Sequence, residues 1–310
     1  MARGTHAWYN GKIVPAETTR ISLFTHGLHY GFGTFEGIRA YRQTGGGGAI
    51  FRLRDHIERF EDSTRILGLV MPYSTDVLMK ACVEVCKANR FEDCYIRPIL
   101  YVGDGPLGVD PGMDPPLDIA ILNWEWGKYL GETGIKEGDR MVTSSFLRPQ
   151  VNSSMTKGKL TGAYVTGVLA KREAIKRGYS EAFMLDPNGY VAEATGANVF
   201  MVKNGIVKTT PLTSILSGIT RNTVITQLKK EGHDVREQQF SRDEMWCADE
   251  VFLTGTAAEI TPVREIDDRT IGRGPHAGKP GPVTAKLQET YHKMVSGTLP
   301  EWGKHWLTPV

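Results

Sequence analysis

The sequence predicts an α+β protein of two domains, and three observations carry that reading. Residues 1–125 alternate strand-like and helical segments, as a small α/β domain does. Residues 126–138, beginning Trp-Gly-Lys-Tyr-Leu-Gly-Glu-Thr-Gly, are glycine-rich without apolar periodicity and read as a connector. Residues 139–310 then resume as short strands joined by Pro-Asn-Gly and Asn-Gly turns among longer helical stretches, which makes the larger domain.

In chain order, Ala7–Val14 reads as strand, turn and strand about Asn10-Gly11. Thr34–Arg42 alternates large apolar and polar groups and is predicted as one half-buried strand. The glycine run 45–48 is a hairpin loop and Ala49–Arg52 the return strand. Leu53–Leu67 carries apolar residues at helical spacing (Ile57, Phe60, Ile66) and Ser74–Asn89 is a second helix. Tyr95–Val102 and Leu117–Asn123 are apolar strands. Beyond the connector, Asp139–Ser145 is a strand and Leu160–Arg177 a helix ended by Gly178. Hairpins come next at 181–193 and 198–209, then a helix over Ile219–Glu231. A strand over Glu250–Thr254 runs into the Gly-Thr-Ala-Ala turn at 255–258, and Gln288–Ser296 is the last helix.

The composition excludes several classes. Hydrophobic residues make up 40% and charged residues 23%, at a net charge of +2, so nothing argues for a nucleic-acid or membrane partner. No apolar run is long enough to span a bilayer, and the first residues lack the apolar core of a signal peptide, so a cytoplasmic protein is expected. Cys82 and Cys86 stand one helical turn apart with no close histidine pair. They read, with Cys94 and Cys247, as free thiols and not as a metal site.

Three segments suggest chemistry. Met-Thr-Lys-Gly-Lys-Leu-Thr-Gly-Ala-Tyr (155–164) offers amines and a phenol with no nearby acid to neutralise the lysines. Glu193 precedes small residues, Ala-Thr-Gly-Ala, that leave room for other groups. Ser217-Gly218-Ile219-Thr220 opens a helix, whose amides and positive dipole end bind phosphate. Amine, phenol, carboxylate and phosphate cradle are the groups needed to hold pyridoxal phosphate. Spacing alone does not choose between Lys157 and Lys159. In the first domain, Tyr95 and Arg97 share a strand face and can grip a carboxylate. Phe35, Gly37 and Arg39 share another face, near Tyr30, where an aromatic beside a bare glycine makes an apolar slot.

Seven blocks in order resemble the branched-chain amino acid aminotransferases of fold type IV. They are His-Gly-Leu-His-Tyr-Gly-Phe-Gly-Thr-Phe-Glu-Gly-Ile-Arg-Ala-Tyr (26–41), Tyr-Ile-Arg-Pro-Ile-Leu-Tyr-Val-Gly-Asp (95–104), Trp-Gly-Lys-Tyr-Leu-Gly (126–131), Lys159 to Tyr164, Glu193 to Phe200, Ser-Gly-Ile-Thr-Arg (217–221) and Gly-Thr-Ala-Ala-Glu-Ile-Thr-Pro-Val (255–263). The resemblance implies a larger C-terminal domain with a mixed, barrel-like sheet and flanking helices. It implies transamination of leucine, isoleucine and valine with 2-oxoglutarate, in ping-pong fashion through pyridoxamine phosphate.

It also implies residue roles. Lys159 is the catalytic Schiff-base lysine, because the family's lysine stands five before the tyrosine, here Tyr164. Tyr164 bonds the cofactor's phenolic oxygen and Glu193 its pyridine nitrogen. Arg59, otherwise read as a surface residue of a polar helix, joins Gly218, Ile219, Thr220 and Thr256 on the phosphate. Tyr95 with Thr256 and Ala257 takes the substrate α-carboxylate. Phe35, Gly37, Tyr129 and Tyr164 line the side-chain pocket with Arg39 nearby, and Arg97 with Tyr30 takes the side-chain carboxylate of glutamate. A partner subunit's loop, the counterpart of Leu107-Gly108-Val109, completes the site in a homodimer or larger assembly.

The run Glu193-Ala-Thr-Gly-Ala-Asn198 departs from the family's usual pattern, and so does Gly-Lys-Leu-Thr-Gly around the lysine. Both bear on substrate breadth. The alternatives are a D-amino-acid or R-amine transaminase or an aminodeoxychorismate lyase of the same fold and, from another class, a non-catalytic binder of phosphate ligands.

Overall fold

The computed structural model describes residues 2–127 and 131–310; Tyr129 lies outside them. The chain forms two compact units, but not by a single division near residue 126. The first unit takes Met1–Gly127 together with Gly158–Ala163 and Lys293–Val310, and the second takes Lys128–Lys157 and Tyr164–His292.

In the first unit the strands are β1 (His6–Tyr9), β2 (Lys12–Pro15), β3 (Gly33–Phe35), β4 (Ile38–Arg42), β5 (Gly48–Phe51), β6 (Cys94–Val102) and β7 (Leu117–Trp124). Its helices are α1 (His26–Tyr30), α2 (Leu53–Ile66) and α3 (Thr75–Asn89). The antiparallel sheet runs terminal strand (Leu307–Pro309), β5, β4, β6, β7, β1, β2, with β3 also on β6. Ile57 and Phe60 of α2 and Leu78, Cys82, Val85 and Cys86 of α3 bury their inward faces with Ile38, Ile50, Ile96 and Ile121 of the sheet. The cysteines at 82, 86 and 94 are buried free thiols, whereas Cys247 is exposed.

Two expectations for this unit are corrected. Thr34–Arg42 is not one strand but two, broken at Glu36-Gly37. The break faces Pro98, which has no N–H to continue the ladder, and the Glu36 N–H donates to the Pro98 carbonyl at 2.8 Å. The helix expected from Leu160 begins at Tyr164, because Leu160 bridges to Thr34 of β3 and residues 161–163 form a turn. There the Thr161 N–H donates to Gly33 O at 2.9 Å and the Gly162 N–H to Gly31 O at 3.0 Å. Gly31 sits at φ +63°, and a Cβ there would meet the Gly162 Cα at 2.8 Å, so this close backbone approach needs glycine.

The second unit contains α4 (Gly131–Glu137), β8 (Asp139–Thr143), α5 (Val151–Ser154), α6 (Tyr164–Lys176), β9 (Glu181–Leu185), β10 (Val191–Ala194), β11 (Asn198–Lys203), β12 (Ile206–Thr209), α7 (Ile219–Lys230), β13 (Asp234–Glu237), α8 (Arg242–Trp246), β14 (Glu250–Gly255), β15 (Glu259–Ile266) and β16 (Arg269–Thr270). The sheet order is β10-β9-β8-β15-β14-β11-β12-β13, with β16 on β15. It is mixed, since β8 runs parallel to both β9 and β15, and β12 to β13. Part of the expected connector is thus the helix α4, closed by Gly138 at φ +87°. The last long helix, α9 (Pro282–Val295), starts six residues before the expected Gln288. Its first turn is capped from a distant strand: the Glu250 carboxylate accepts from Val283 N at 3.0 Å and Thr284 N at 2.8 Å. A further helix, Pro300–Trp306, precedes the terminal strand.

Candidate active site

Each unit carries one cluster of the expected residues. In the first, α2 presents His56, Arg59 and Ser63 toward β3 and residues 158–163. Arg59 is no surface residue: its Nε and Nη2 donate to the Glu36 carboxylate at 2.7 and 2.9 Å. The His56 Nδ1 donates to the same carboxylate at 2.8 Å, and the Gly37 N–H at 3.1 Å. Glu36 is fully buried. Burial alone pushes its pKa up, but the Arg59 charge and the His56 bond outweigh that and hold it well below the usual carboxylate range. His56 is shifted down, because burial and the positive charges of Arg59 and Lys159 outweigh its bond to Glu36. It therefore serves as a neutral imidazole.

Lys159 lies on this cluster. Its N–H donates to Ser63 Oγ at 3.0 Å and its carbonyl accepts from Phe35 N at 3.0 Å. Its Nζ stands 4.9 Å from the centre of the Phe35 ring, and the Arg97 guanidinium stands 4.7 Å from the same ring. The Arg97 Nε is buried with no hydrogen-bond partner among the described residues. Tyr95 and Arg97 do share a face, with the guanidinium 5.5 Å from the Tyr95 ring. The Tyr95 hydroxyl occupies the space a Cβ on Gly37 would need, so a glycine is required there. Lys157, the other candidate, belongs to the second unit, where its Nζ donates to Ile215 O at 3.3 Å.

Arg39 is the cross-strand neighbour of Tyr95. It donates to Trp126 O at 3.3 Å and pairs with Asp93 at 3.5 Å. The register against β6 runs without a shift from Phe35 to Arg39, so Phe35, Gly37 and Arg39 keep one face, the face that also carries Tyr95 and Arg97. Arg39 also supports Trp126, whose ring packs on Tyr95 at 4.5 Å. Tyr30 is half exposed and its hydroxyl donates to Leu107 O at 2.8 Å, while His26 Nε2 bonds Gly108 O at 3.0 Å. The 107–109 loop is thereby held to α1 of its own chain, with Val109 83% exposed at its tip.

In the second unit, Glu193 is buried on β10. Arg148 Nη2 pairs with its Oε1 at 2.7 Å, and Asn198 Nδ2 donates to its Oε2 at 2.9 Å. Asn198 also donates to Leu216 O at 3.1 Å, tying the strand to the turn before α7. Gly218 caps α7 in extended conformation, and Asn198 Oδ1 lies where its Cβ would be. Ile219 and Thr220 form the buried first turn, whose amides the helix itself cannot satisfy. Thr254, paired in register with Asn198, keeps a buried hydroxyl without a partner among the described residues, next to the turn of Thr256 and Ala257. Tyr164 is the first residue of α6.

Sequence reasoning did not single out Glu36, His56, Ser63 or Arg148. The polar residues at 56, 59 and 63 of α2 were a readable signal, because their spacing lays them on one helix face with the buried Ile57 and Phe60 beside them. Arg148 gave none.

The second unit has a glycine-walled helix N-terminus and a buried carboxylate; the first has an amine and an arginine. Each is a donor type that a phosphorylated pyridine aldehyde requires.

The family Amino-transferase class IV matches over residues 33–266. A branched-chain-amino-acid aminotransferase of Pseudomonas aeruginosa is 46% identical over 290 residues, covering 94% of this chain and 92% of the relative. Among solved structures, a T.th. branched-chain amino acid aminotransferase complexed with N-(5'-phosphopyridoxyl)-L-glutamate superposes with a TM-score of 0.93 at 41% identity, covering 100% of this chain and 99% of that one. The same enzyme complexed with 4-methylvaleric acid gives the same TM-score of 0.93, identity of 41% and coverage of 100% and 99%.

Proposed function

The chain belongs to the class IV aminotransferase family, and on that premise we infer that it transaminates branched-chain L-amino acids with 2-oxoglutarate, using pyridoxal phosphate. The observation that carries the substrate reading is the Phe35 ring with Lys159 and Arg97 both within 5 Å of its centre. Apolar surface suits a leucine-like side chain, and the adjacent guanidinium suits the distal carboxylate of glutamate. The solved relative's complexes with a glutamate derivative and with 4-methylvaleric acid support the same dual demand.

Lys159 is assigned the covalent attachment of the cofactor. Arg59, Gly218, Ile219, Thr220 and Thr256 are assigned its phosphate, Tyr164 its phenolic oxygen and Glu193 its pyridine nitrogen. When bound, pyridoxal phosphate supplies an electron sink for the charge left at the substrate Cα. The protein's own residues do the rest. The Lys159 amine would take the substrate Cα proton as base and carry it as the acid for its return. Glu193, paired with Arg148 at 2.7 Å, would face the pyridine nitrogen and favour a proton on it. Tyr95 and the Thr256-Ala257 turn orient the α-carboxylate. Phe35, Gly37, Tyr129 and Tyr164 are assigned the side-chain pocket, and Arg97 with Tyr30 receives glutamate. Arg39, on the same face, is assigned to the edge of that pocket, where it also supports Trp126. The exposed Val109, with Leu23, Phe24 and Leu28 also exposed, supports a homodimer in which the 107–109 loop reaches the partner's site. A cytoplasmic setting accords with the buried free thiols; among the described residues no helix is long and apolar enough to cross a membrane.

Half-reaction rates with L-leucine, L-glutamate, D-alanine and an R-amine test the assignment. L-Leucine and L-glutamate are expected to convert the protein, and the other two to leave it unchanged. Arg97→Leu should raise the KM for glutamate by about 10- to 100-fold, the size of a lost charge-assisted bond, with a few-fold change at most for leucine. Faster turnover of D-alanine or the R-amine would move the chain to the other transaminases of this fold. A protein that takes up no pyridoxal phosphate would return it to the non-catalytic binders.

A further inference from the structure

We infer that Ser63 is a positioning residue that fixes the backbone of Lys159; the functional half of this rests on the assignment of Lys159 above. Ser63 is fully buried on α2, one turn beyond Arg59. Its hydroxyl has one proton and two acceptor sites. The proton goes to the Arg59 carbonyl at 2.8 Å, within the helix, and an acceptor site takes the Lys159 N–H at 3.0 Å. On the other side the Lys159 carbonyl accepts from Phe35 N at 3.0 Å. Both backbone polar groups of Lys159 are therefore bonded, one to a helix and one to a strand, although the residue lies in an irregular extended segment.

The consequence is geometric. Lysine reaches its amine through four flexible methylenes, so the position of Nζ depends on where the Cα is held. Ser63 ties that Cα to the turn of α2 that carries Arg59, whose guanidinium is locked on Glu36. The amine and the arginine thus take their spacing from one helix. Without the hydroxyl, the Lys159 N–H loses its acceptor, and a misplacement of about 1 Å at a reacting group costs on the order of a hundredfold in rate.

The test uses the full chain as Ser63→Ala, Ser63→Thr and Lys159→Ala. In the protein without cofactor, hydrogen exchange at the Lys159 amide should accelerate about tenfold or more in Ser63→Ala, while exchange in β6 and the rest of α2 stays as in wild type. With cofactor, kcat for L-leucine should fall about tenfold with KM within about twofold, and the pH midpoint of the visible band of the lysine-bound cofactor should move. Ser63→Thr keeps the hydroxyl and should restore all three. Unchanged exchange at Lys159 in Ser63→Ala overturns the inference. So does a loss of activity that tracks general destabilisation and is not restored by Ser63→Thr. A Lys159→Ala protein that keeps the visible band refutes the lysine assignment instead, and leaves the exchange result to decide the role of Ser63 at the backbone.

Discussion

Glu36 in the first unit and Glu193 in the second are both buried carboxylates gripped by an arginine and a neutral N–H donor. Arg59 and His56 hold the one; Arg148 and Asn198 hold the other. Their surroundings differ. Glu36 sits beneath a strand break, where Arg59 engages both of its oxygens and His56 and Gly37 add further bonds, so its charge is consumed inside the fold. Glu193 pairs with Arg148, accepts from Asn198 Nδ2 at 2.9 Å and from Leu216 N at 3.4 Å, and sits beside Ala194 and the glycine-capped start of α7. The same ionic chemistry locks a helix to a strand in one place and presents a charge beside a phosphate-type cradle in the other. What separates them is what each carboxylate ties together, α2 to the β3–β4 break for Glu36 and β10 to the turn before α7 for Glu193, and how small the neighbours of Glu193 are.

The largest effect should come from removing each carboxylate in turn. Glu36→Ala strips Arg59 and His56 of their shared carboxylate in the interior and should cost about 3–5 kcal/mol in urea denaturation. Glu193→Ala should cost less stability, while lowering affinity for pyridoxal phosphate and turnover far more. Equal losses of stability would erase that distinction.

The two glycines that wall these clusters sharpen it further. Gly218→Ala puts a methyl on Asn198 and should weaken cofactor binding by about tenfold or more, as overpacking of about 1–3 kcal/mol implies. Gly37→Ala puts one on the Tyr95 hydroxyl and should raise the KM for amino acids while cofactor affinity stays near wild type. Cofactor titration and steady-state kinetics on both variants distinguish the two, and a shared defect would contradict the separate roles.

The smallest effect concerns pH. His56 has a folded pKa below its unfolded value of about 6.5, so the unfolded chain binds the proton more readily. The stability it contributes is fully present above about pH 6.5 and declines as pH falls below that. Glu36, also depressed, adds a further loss only below about pH 4, where the unfolded carboxylate protonates. Thermal midpoints between pH 7.5 and 5 should therefore fall, and His56→Asn should flatten that slope. An unchanged slope in the variant would place the titrating group elsewhere.

Much of this was legible in the chain itself. The hairpins at Asn10-Gly11 and Asn204-Gly205, the helices over 53–66 and 219–230, and the apolar strands over 94–102 and 117–124 follow from local periodicity and turn chemistry. The resemblance supplied Lys159 and Glu193, which spacing alone left open. The sequence could not show that Thr34–Arg42 breaks at Glu36, because the break answers Pro98 on another strand. The early start of α9 was hidden for a similar reason, since its cap is Glu250, more than thirty residues away.

The sequence by itself determined which groups this protein offers: an amine, a carboxylate, a glycine-capped helix N-terminus, and an aromatic beside an arginine. Residue type and local order specify these, and both are written along the chain. Only the tertiary structure decided that Arg59 is locked by Glu36 rather than solvated, that Lys159 takes its place from Ser63 and Phe35, and that Arg39 supports Trp126. Those are contacts between residues tens of positions apart, and they form only when burial makes each unpaired donor costly enough to demand its partner.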